Sequence, residues 1–453
     1  MLIAPSLKET LKHTISRCPV CHRDVSAEVW KTQGSSVKVY LSRSCPEHGS
    51  FDTVISSDAR FYWLAKGNPK NSCGAGCACS AGGGYDGTLG KNAAVSSNHV
   101  EVLSTCLALI EIVDSCNLSC PTCFADSPVG ATGAGLKYHP LENLLERIVG
   151  VLDRKGKIEI LQLSGGEPTL HPQFFDLLDW IHDEPRIDYC LVNTNGVRLA
   201  KDEAFLQEVG SRARRGNFQL YLQYDGPQLD GQKALRGVDL RSMKTAVMHA
   251  CERESIPYTL AMTVTHDNLA YLGATIDEGL QFSACRGVSF QPMFHSGRNS
   301  FRNGATLNET PLNTADVILG CVAQGQGKLR FEDFTPLPCG DPNCATIGYL
   351  LRTPIGVHSI SEFIDFASVQ GFLRDKVRYE LADLIQCGCE NTELGEILHR
   401  FEMKEKDAFR IFIKPFMDSF TWDQDRIDRC CTHVIRPDGA LDSFCRYYAT
   451  QPT

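Results

Sequence analysis

The stretch DSCNLSCPTCFA, residues 114–125, places Cys116, Cys120 and Cys123 on one short loop. Three thiolates spaced in this way can hold three irons of a cubane 4Fe–4S cluster, whereas ferredoxin-type runs supply a fourth. One iron is then left open to another ligand. An open coordination position is what separates catalytic from structural metal sites. The apolar run ahead of the loop reads as a strand, so the loop stands at that strand's C-terminal end.

Outward from the loop, short apolar runs alternate with amphipathic segments. Strands are predicted over 108–113, 158–163, 189–193, 218–223, 258–264 and 287–291. Helices are predicted over 141–153, 173–181, 202–209, 242–251 and 270–279. Repeated β-then-α order implies right-handed crossovers and a parallel sheet. Six such units give an α/β fold, a partial (β/α)6 barrel or open curved sheet, with functional loops at the C-terminal strand ends. The second strand ends in Ser164-Gly165-Gly166-Glu167-Pro168, where paired glycines let the backbone approach a ligand closely. Asn193 and Asn195 end the third strand, Gln223 and Asp225 the fourth, and Thr263, Gln291 and Arg298 lie near the last two. Asn195 and Asp225 are the candidates for cofactor binding; the plainer reading is turn capping.

The three-cysteine loop and the Gly165-Gly166-Glu167 turn together resemble the radical S-adenosylmethionine (SAM) superfamily, over roughly residues 106–300. The resemblance implies that SAM chelates the open iron of the cluster held by Cys116, Cys120 and Cys123. It also implies that Gly165, Gly166 and Glu167 line its amino group. One electron then yields a 5′-deoxyadenosyl radical that abstracts hydrogen from an unactivated carbon. Many members carry an aromatic residue just before the third cysteine; this chain has Thr122 there and Phe124 after it.

The remaining cysteines fall into groups. Cys18-Pro-Val-Cys21 and Cys45-Pro-Glu-His48 make two knuckles of a Cys3His site for zinc or a single iron, within an N-terminal metal-binding domain over 1–70. A glycine-rich stretch, 71–105, carries Cys73, Cys77 and Cys79, which with Cys106 offer four thiolates for an auxiliary cluster. Over 301–453, Cys339, Cys344, Cys430, Cys431 and Cys445 offer another, with Cys387 and Cys389 in reserve. Adjacent cysteines rarely share one cluster, so Cys430 or Cys431 is surplus. Cys190, Cys251, Cys285 and Cys321 sit in apolar or helical contexts and are predicted to be buried hydrophobes.

The ensemble is similar to the archaeal tetraether lipid synthase group and its bacterial relatives, some described as radical methyltransferases acting on a pterin precursor. The likeness runs through Cys18, Cys21, Cys45 and His48, through 105–111 (TCLALIE), and through Cys339, Cys344, Cys430–Cys431–Thr432–His433 and Phe444-Cys445. It implies a rubredoxin- or zinc-ribbon-like start, one mononuclear Fe or Zn, a radical 4Fe–4S cluster and two auxiliary ones. The chain departs from the group over 80–105 and in the single-residue gap between Cys77 and Cys79.

Composition narrows the class. The 453 residues are 43% hydrophobic with a net charge of −9, which argues against a primary nucleic-acid binder. Twenty-one cysteines, an odd number, behind a start without an apolar signal core point to metal ligands in a reducing cytoplasm. No apolar run approaches the ~20 residues of a membrane span, and peripheral membrane contact stays open. The leading expectation is hydrogen abstraction followed by C–C bond formation joining lipid tails. Phe409, Ile411, Phe412, Ile413, Phe416 and Met417 would line an apolar groove, or else form ordinary core. Methyl transfer to a small molecule is the alternative, and an iron–sulfur electron carrier is the reading from another class. The expected partners are a small-molecule or lipid substrate and a flavodoxin- or ferredoxin-type electron donor.

Overall fold

The computed structural model describes residues 8–65, 105–130, 135–299, 310–337, 340–365 and 404–449. Cys73, Cys77, Cys79, Cys339, Cys387 and Cys389 lie outside the described residues.

Four strands open the chain: β1 (Lys8–Arg17), β2 (Asp24–Thr32), β3 (Val39–Cys45) and β4 (Gly49–Ser56), an antiparallel meander in sequence order. Alternation along β2 and β3 turns Ala27, Val29, Val39 and Leu41 onto one face, which forms a small core. That core is thin, so the meander leans on the rest of the molecule. Lys12 of β1 lies between Asp423 and Asp425 at 2.7 and 2.9 Å, and the Arg17 guanidinium stacks over Trp422.

Among the described residues, the second sheet holds twelve strands. Its centre runs β5 (Leu107–Val113), β7 (Ile158–Gly165), β8 (Ile187–Thr194), β9 (Phe218–Gln223), β10 (Tyr258–Val264) and β11 (Cys285–Pro292), neighbours in chain order and all parallel. A two-residue β6 (Thr122–Cys123) pairs with β12 (Arg298–Asn299) across the cysteine loop. Helices α1 (Leu141–Lys155), α2 (Phe174–Asp183), α3 (Val197–Lys201), α4 (Glu203–Ala213), α5 (Leu229–Arg236), α6 (Arg241–Glu254) and α7 (Leu272–Leu280) make the crossovers. The strands' outward side chains and the helices' apolar stripes merge into one core, as parallel sheets require.

The sheet continues past the six expected strands. After α8 (Thr314–Gln324) come β13 (Thr335–Pro336), β14 (Thr346–Thr353), β15 (Gly356–Ser359), β16 (Ala408–Ile413), β17 (Thr432–Ile435) and β18 (Leu441–Ser443). β16 adds in parallel to β11, and β17 in parallel to β5 on the opposite edge. β14 then runs antiparallel on β16. The chain's last third therefore extends both edges of the barrel.

Alternation along β16 decides the expected groove. Phe409, Ile411 and Ile413 are fully buried in the main core, while Arg410, Phe412 and Lys414 face the lumen. Half of the apolar stretch is therefore packing, because a strand cannot present consecutive residues to one side. Met417 is buried in a separate C-terminal cluster. Phe416 does line the lumen.

Candidate active site and metal centres

Cys116, Cys120 and Cys123 open into one cavity of about 200 Å³ at the C-terminal ends of the barrel strands. Gly165, Gly166, Glu167, Asn193, Asn195, Gln223, Asp225, Thr263 and Gln291 line the same cavity. Burial pushes the Cys116 thiol up to about 12 and the Cys120 thiol above its ordinary value. Such thiols become ligands only when a metal displaces their protons.

The glycine turn is stitched to the cysteine loop by backbone. Gly166 N–H donates to the Val113 carbonyl at 2.6 Å and Glu167 N–H to the Ser115 carbonyl at 3.0 Å. A Cβ on Gly165, whose φ is +114°, would collide with the Val113 carbonyl, and one on Gly166 with the Ser115 carbonyl. Only glycine fits at either place.

The polar strand ends turn out to hold the site's walls. The Glu167 carboxylate is 1% exposed and accepts from Thr169 N, Thr169 Oγ1, Thr194 Oγ1 and Asn195 N at 3.3, 2.7, 2.7 and 2.8 Å. Asn195 Nδ2 donates to Asn117 Oδ1 at 2.6 Å and lies 3.7 Å from Cys116 Sγ. Buried Lys244, whose ammonium burial lowers to about 7, donates to the Asn195 carbonyl. Asp225, at a φ of +65°, pairs with Arg236 at 2.6 and 2.9 Å and accepts from Thr263 N at 3.0 Å. Arg298 clamps the loop from outside, donating to the Cys120 and Ser127 carbonyls at 2.9 and 3.1 Å.

At the other end of the chain, Cys18, Cys21, Cys45 and His48 bring all four ligand atoms within 4.8 Å of one another. The Cys18–His48, Cys21–Cys45 and Cys45–His48 separations are 3.7, 3.9 and 3.5 Å. These match the ~3.8 Å edges of a tetrahedron with bonds of about 2.3 Å. The knuckles form where β1 hands over to β2 and β3 to β4.

Residues 110–278 match the Radical SAM superfamily, and residues 10–57 match the HMPTM N-terminal zinc ribbon domain. The 7,8-dihydro-6-hydroxymethylpterin dimethyltransferase of Methanocaldococcus jannaschii is 25% identical over 96% of this chain and 93% of that protein. The GTP 3′,8-cyclase of Cronobacter sakazakii is 34% identical over 23% of this chain and 31% of its own length. Among solved structures, Streptococcus suis SuiB bound to S-adenosylmethionine shares 13% identity over 42% of this chain and 40% of that one, with a TM-score of 0.35. The chain is a member of the radical SAM superfamily. It joins a zinc ribbon to an α/β radical SAM domain.

Membership implies a 4Fe–4S cluster and SAM, and the residues fit both. Among the described residues, only the N-terminal set gathers its ligand atoms tightly enough for a single ion. The three thiols of the radical SAM loop are spread around a shared cavity instead, as a polynuclear cluster needs. Thr122 Oγ1, lining that cavity, is buried with no partner, a polar atom waiting for one. Around Phe124, the rings of Phe294, Phe444 and Tyr448 pack at 6.3, 5.8 and 4.9 Å. The aromatic beside the third cysteine thus faces a cluster of rings.

A second cavity of about 170 Å³ continues the lumen of the radical SAM barrel downward. Leu109, Gln162, Tyr221, Gln291, Phe416 and Phe444 border both cavities. Cys344 and Cys431 line the lower one. Cys430 and Cys445 are buried close by, since each feels the charge of Cys344. Arg426 Nη2 reaches Cys344 Sγ at 3.9 Å, and Met417 N donates to Cys445 Sγ at 3.4 Å. These thiols come from opposite edges of the open sheet. Cys106 is buried against Cys431. Cys190, Cys251, Cys285 and Cys321 are buried in the main core as expected.

Sequence reasoning missed Arg236 and Lys244. Both are cations inside ordinary amphipathic helices, and no local pattern marks a helix residue that reaches a strand end. Arg236 had one signal: it is the last residue of α5, ahead of Gly237, where the chain returns to the cysteine loop.

Proposed function

We propose that this protein is a radical SAM methyltransferase that places methyl groups on carbon of a small flat heterocycle such as a reduced pterin. The observation that supports this reading is the waist of the lumen. There Gln162, Tyr221 and Gln291 offer neutral amide and hydroxyl groups, while Phe416 and Phe444, stacked on each other at 4.1 Å, offer aromatic faces. Neutral donors and acceptors at the edge with rings at the face suit a heterocycle. The extensive similarity to the pterin dimethyltransferase points the same way. Methyl transfer to carbon is itself C–C bond formation.

When bound, the cluster and SAM would supply a 5′-deoxyadenosyl radical. The chain's own residues orient and shield. Asn195 and Glu167 fix the strand-end loops against the cysteine loop, Gln291 is pinned by its 2.7 Å bond to the Tyr221 hydroxyl, and the rings around Phe124 keep water out. We also assign Cys344, Cys445 and one of Cys430 and Cys431, with Cys339, to an auxiliary cluster, and expect a flavodoxin- or ferredoxin-type donor.

A second reading, the joining of lipid tails, is favoured by the lower cavity, where Leu107, Ile160, Leu191, Val288, Ile347 and Phe412 form an apolar wall. One experiment separates the two. Protein reconstituted anaerobically with iron and sulfide is given SAM, dithionite and either a reduced pterin or an alkyl lipid. Methyl transfer from SAM gives 5′-deoxyadenosine together with S-adenosylhomocysteine and a pterin one methyl group heavier. A joined lipid and 5′-deoxyadenosine alone would support the second reading and overturn the first. No 5′-deoxyadenosine from loaded protein would overturn both.

A further inference from the structure

At Asn195 a side-chain N–H meets a sulfur of the radical loop. Its Nδ2 donates to Cys116 Sγ at 3.7 Å, a separation suited to the large radius of sulfur. The residue is 7% exposed and lines the upper cavity beside Cys116. Backbone fixes which end of the amide faces the sulfur. Asn195 Oδ1 accepts from Val197 N–H at 3.0 Å, and since a backbone N–H can only donate, the NH₂ end is left for the loop. Asn117 Oδ1 holds that end at 2.6 Å. The main chain of Asn195 is tied down as well. Its N–H donates to Glu167 Oε2 at 2.8 Å, and its carbonyl accepts from buried Lys244 Nζ at 2.5 Å. Held at both amide ends and on both sides of its backbone, the side chain cannot turn away from Cys116.

We propose that Asn195 is a positioning residue that sets the reduction potential of the radical cluster through its hydrogen bond to Cys116. A cluster's sulfurs gain negative charge on reduction, so a donor aimed at one of them stabilises the reduced state and raises the potential. Burial strengthens the effect, because a hydrogen bond shut off from water is weakly screened. The amide carries no net charge, so no neighbouring ion cancels it. Asn195 therefore makes the cluster easier to charge with the electron that the reaction consumes. This inference rests on the cluster assignment and needs neither the methyltransferase reading nor a substrate.

The test is a dye-mediated redox titration of anaerobically reconstituted full-length protein without SAM, followed by electron paramagnetic resonance. The radical cluster's signal is the one lost in Cys116→Ala. Asn195→Ser keeps an oxygen that can accept from Val197 N–H but is too short to reach Cys116; Asn195→Ala loses both contacts. In both variants the reduced-to-oxidised ratio of that signal at a fixed potential should fall by about threefold, equivalent to ~28 mV for one electron. An unchanged midpoint in both variants with the cluster fully loaded would overturn the proposal. A midpoint lowered in Asn195→Ala alone would also overturn it, tracing the effect to the lost contact at Val197. So would weakened SAM binding at an unchanged midpoint, which would make Asn195 a SAM ligand, or failure of both variants to load the cluster, which would make it part of the scaffold.

Discussion

At the residue scale, Glu167 shows how a motif residue that lines the cavity also ties its walls together. Its carboxylate ties the second strand's loop to the third strand's through four accepted hydrogen bonds. Glu167→Gln puts an amide N–H₂ among donors and is expected to cost about 1–3 kcal/mol, read as a lower thermal midpoint with weaker SAM binding. Gly166→Ala is harsher, since its Cβ meets the Ser115 carbonyl. The radical cluster's iron should be lost while the N-terminal metal stays, counted by metal analysis and electron paramagnetic resonance together. The cysteine spacing and the glycine pair were legible because their chemistry is local. The roles of Asn195, Asp225 and Glu167 were not, because their partners lie on neighbouring strands and register decides who meets whom.

At the scale of elements, the six central strands announced themselves by apolar runs separated by amphipathic helices. The edge strands did not: β14, β16 and β17 lie among cysteines and loops, and β16 resembles a groove until its alternation is resolved. That alternation makes a paired prediction. Ile411→Ala removes a fully buried side chain and should destabilise the protein by ~2–5 kcal/mol. Phe412→Ala should leave the unfolding transition nearly in place and alter product distribution, measured by calorimetry and mass spectrometry of the reaction.

At the scale of the whole molecule, the zinc ribbon docks on the C-terminal region through Lys12. Burial works against the Asp423 carboxylate, yet Lys12 and Thr14 outweigh it and hold the group below its ordinary value. An acid with a depressed folded value contributes stability that is present above about 3.9 and lost as pH falls through the folded value. Proteolysis of the ribbon should therefore be slow near neutrality and accelerate only below about pH 4. Lys12→Met takes the ion-pair partner from buried Asp423, while Asp425 keeps Arg429 at 3.2 Å; the loss costs about 3–5 kcal/mol and should release the ribbon to trypsin at neutral pH. The ribbon's metal knuckles were readable from spacing, but its docking was not, since Lys12 and Asp423 stand at opposite ends of the chain.

Everything proposed for this site depends on the one iron that Cys116, Cys120 and Cys123 would leave uncapped. Electron paramagnetic resonance of the reduced, fully loaded protein before and after addition of SAM tests it most directly. The signal that disappears in Cys116→Ala should change its g-values when SAM binds. The same signal standing unmoved at saturating SAM would contradict it.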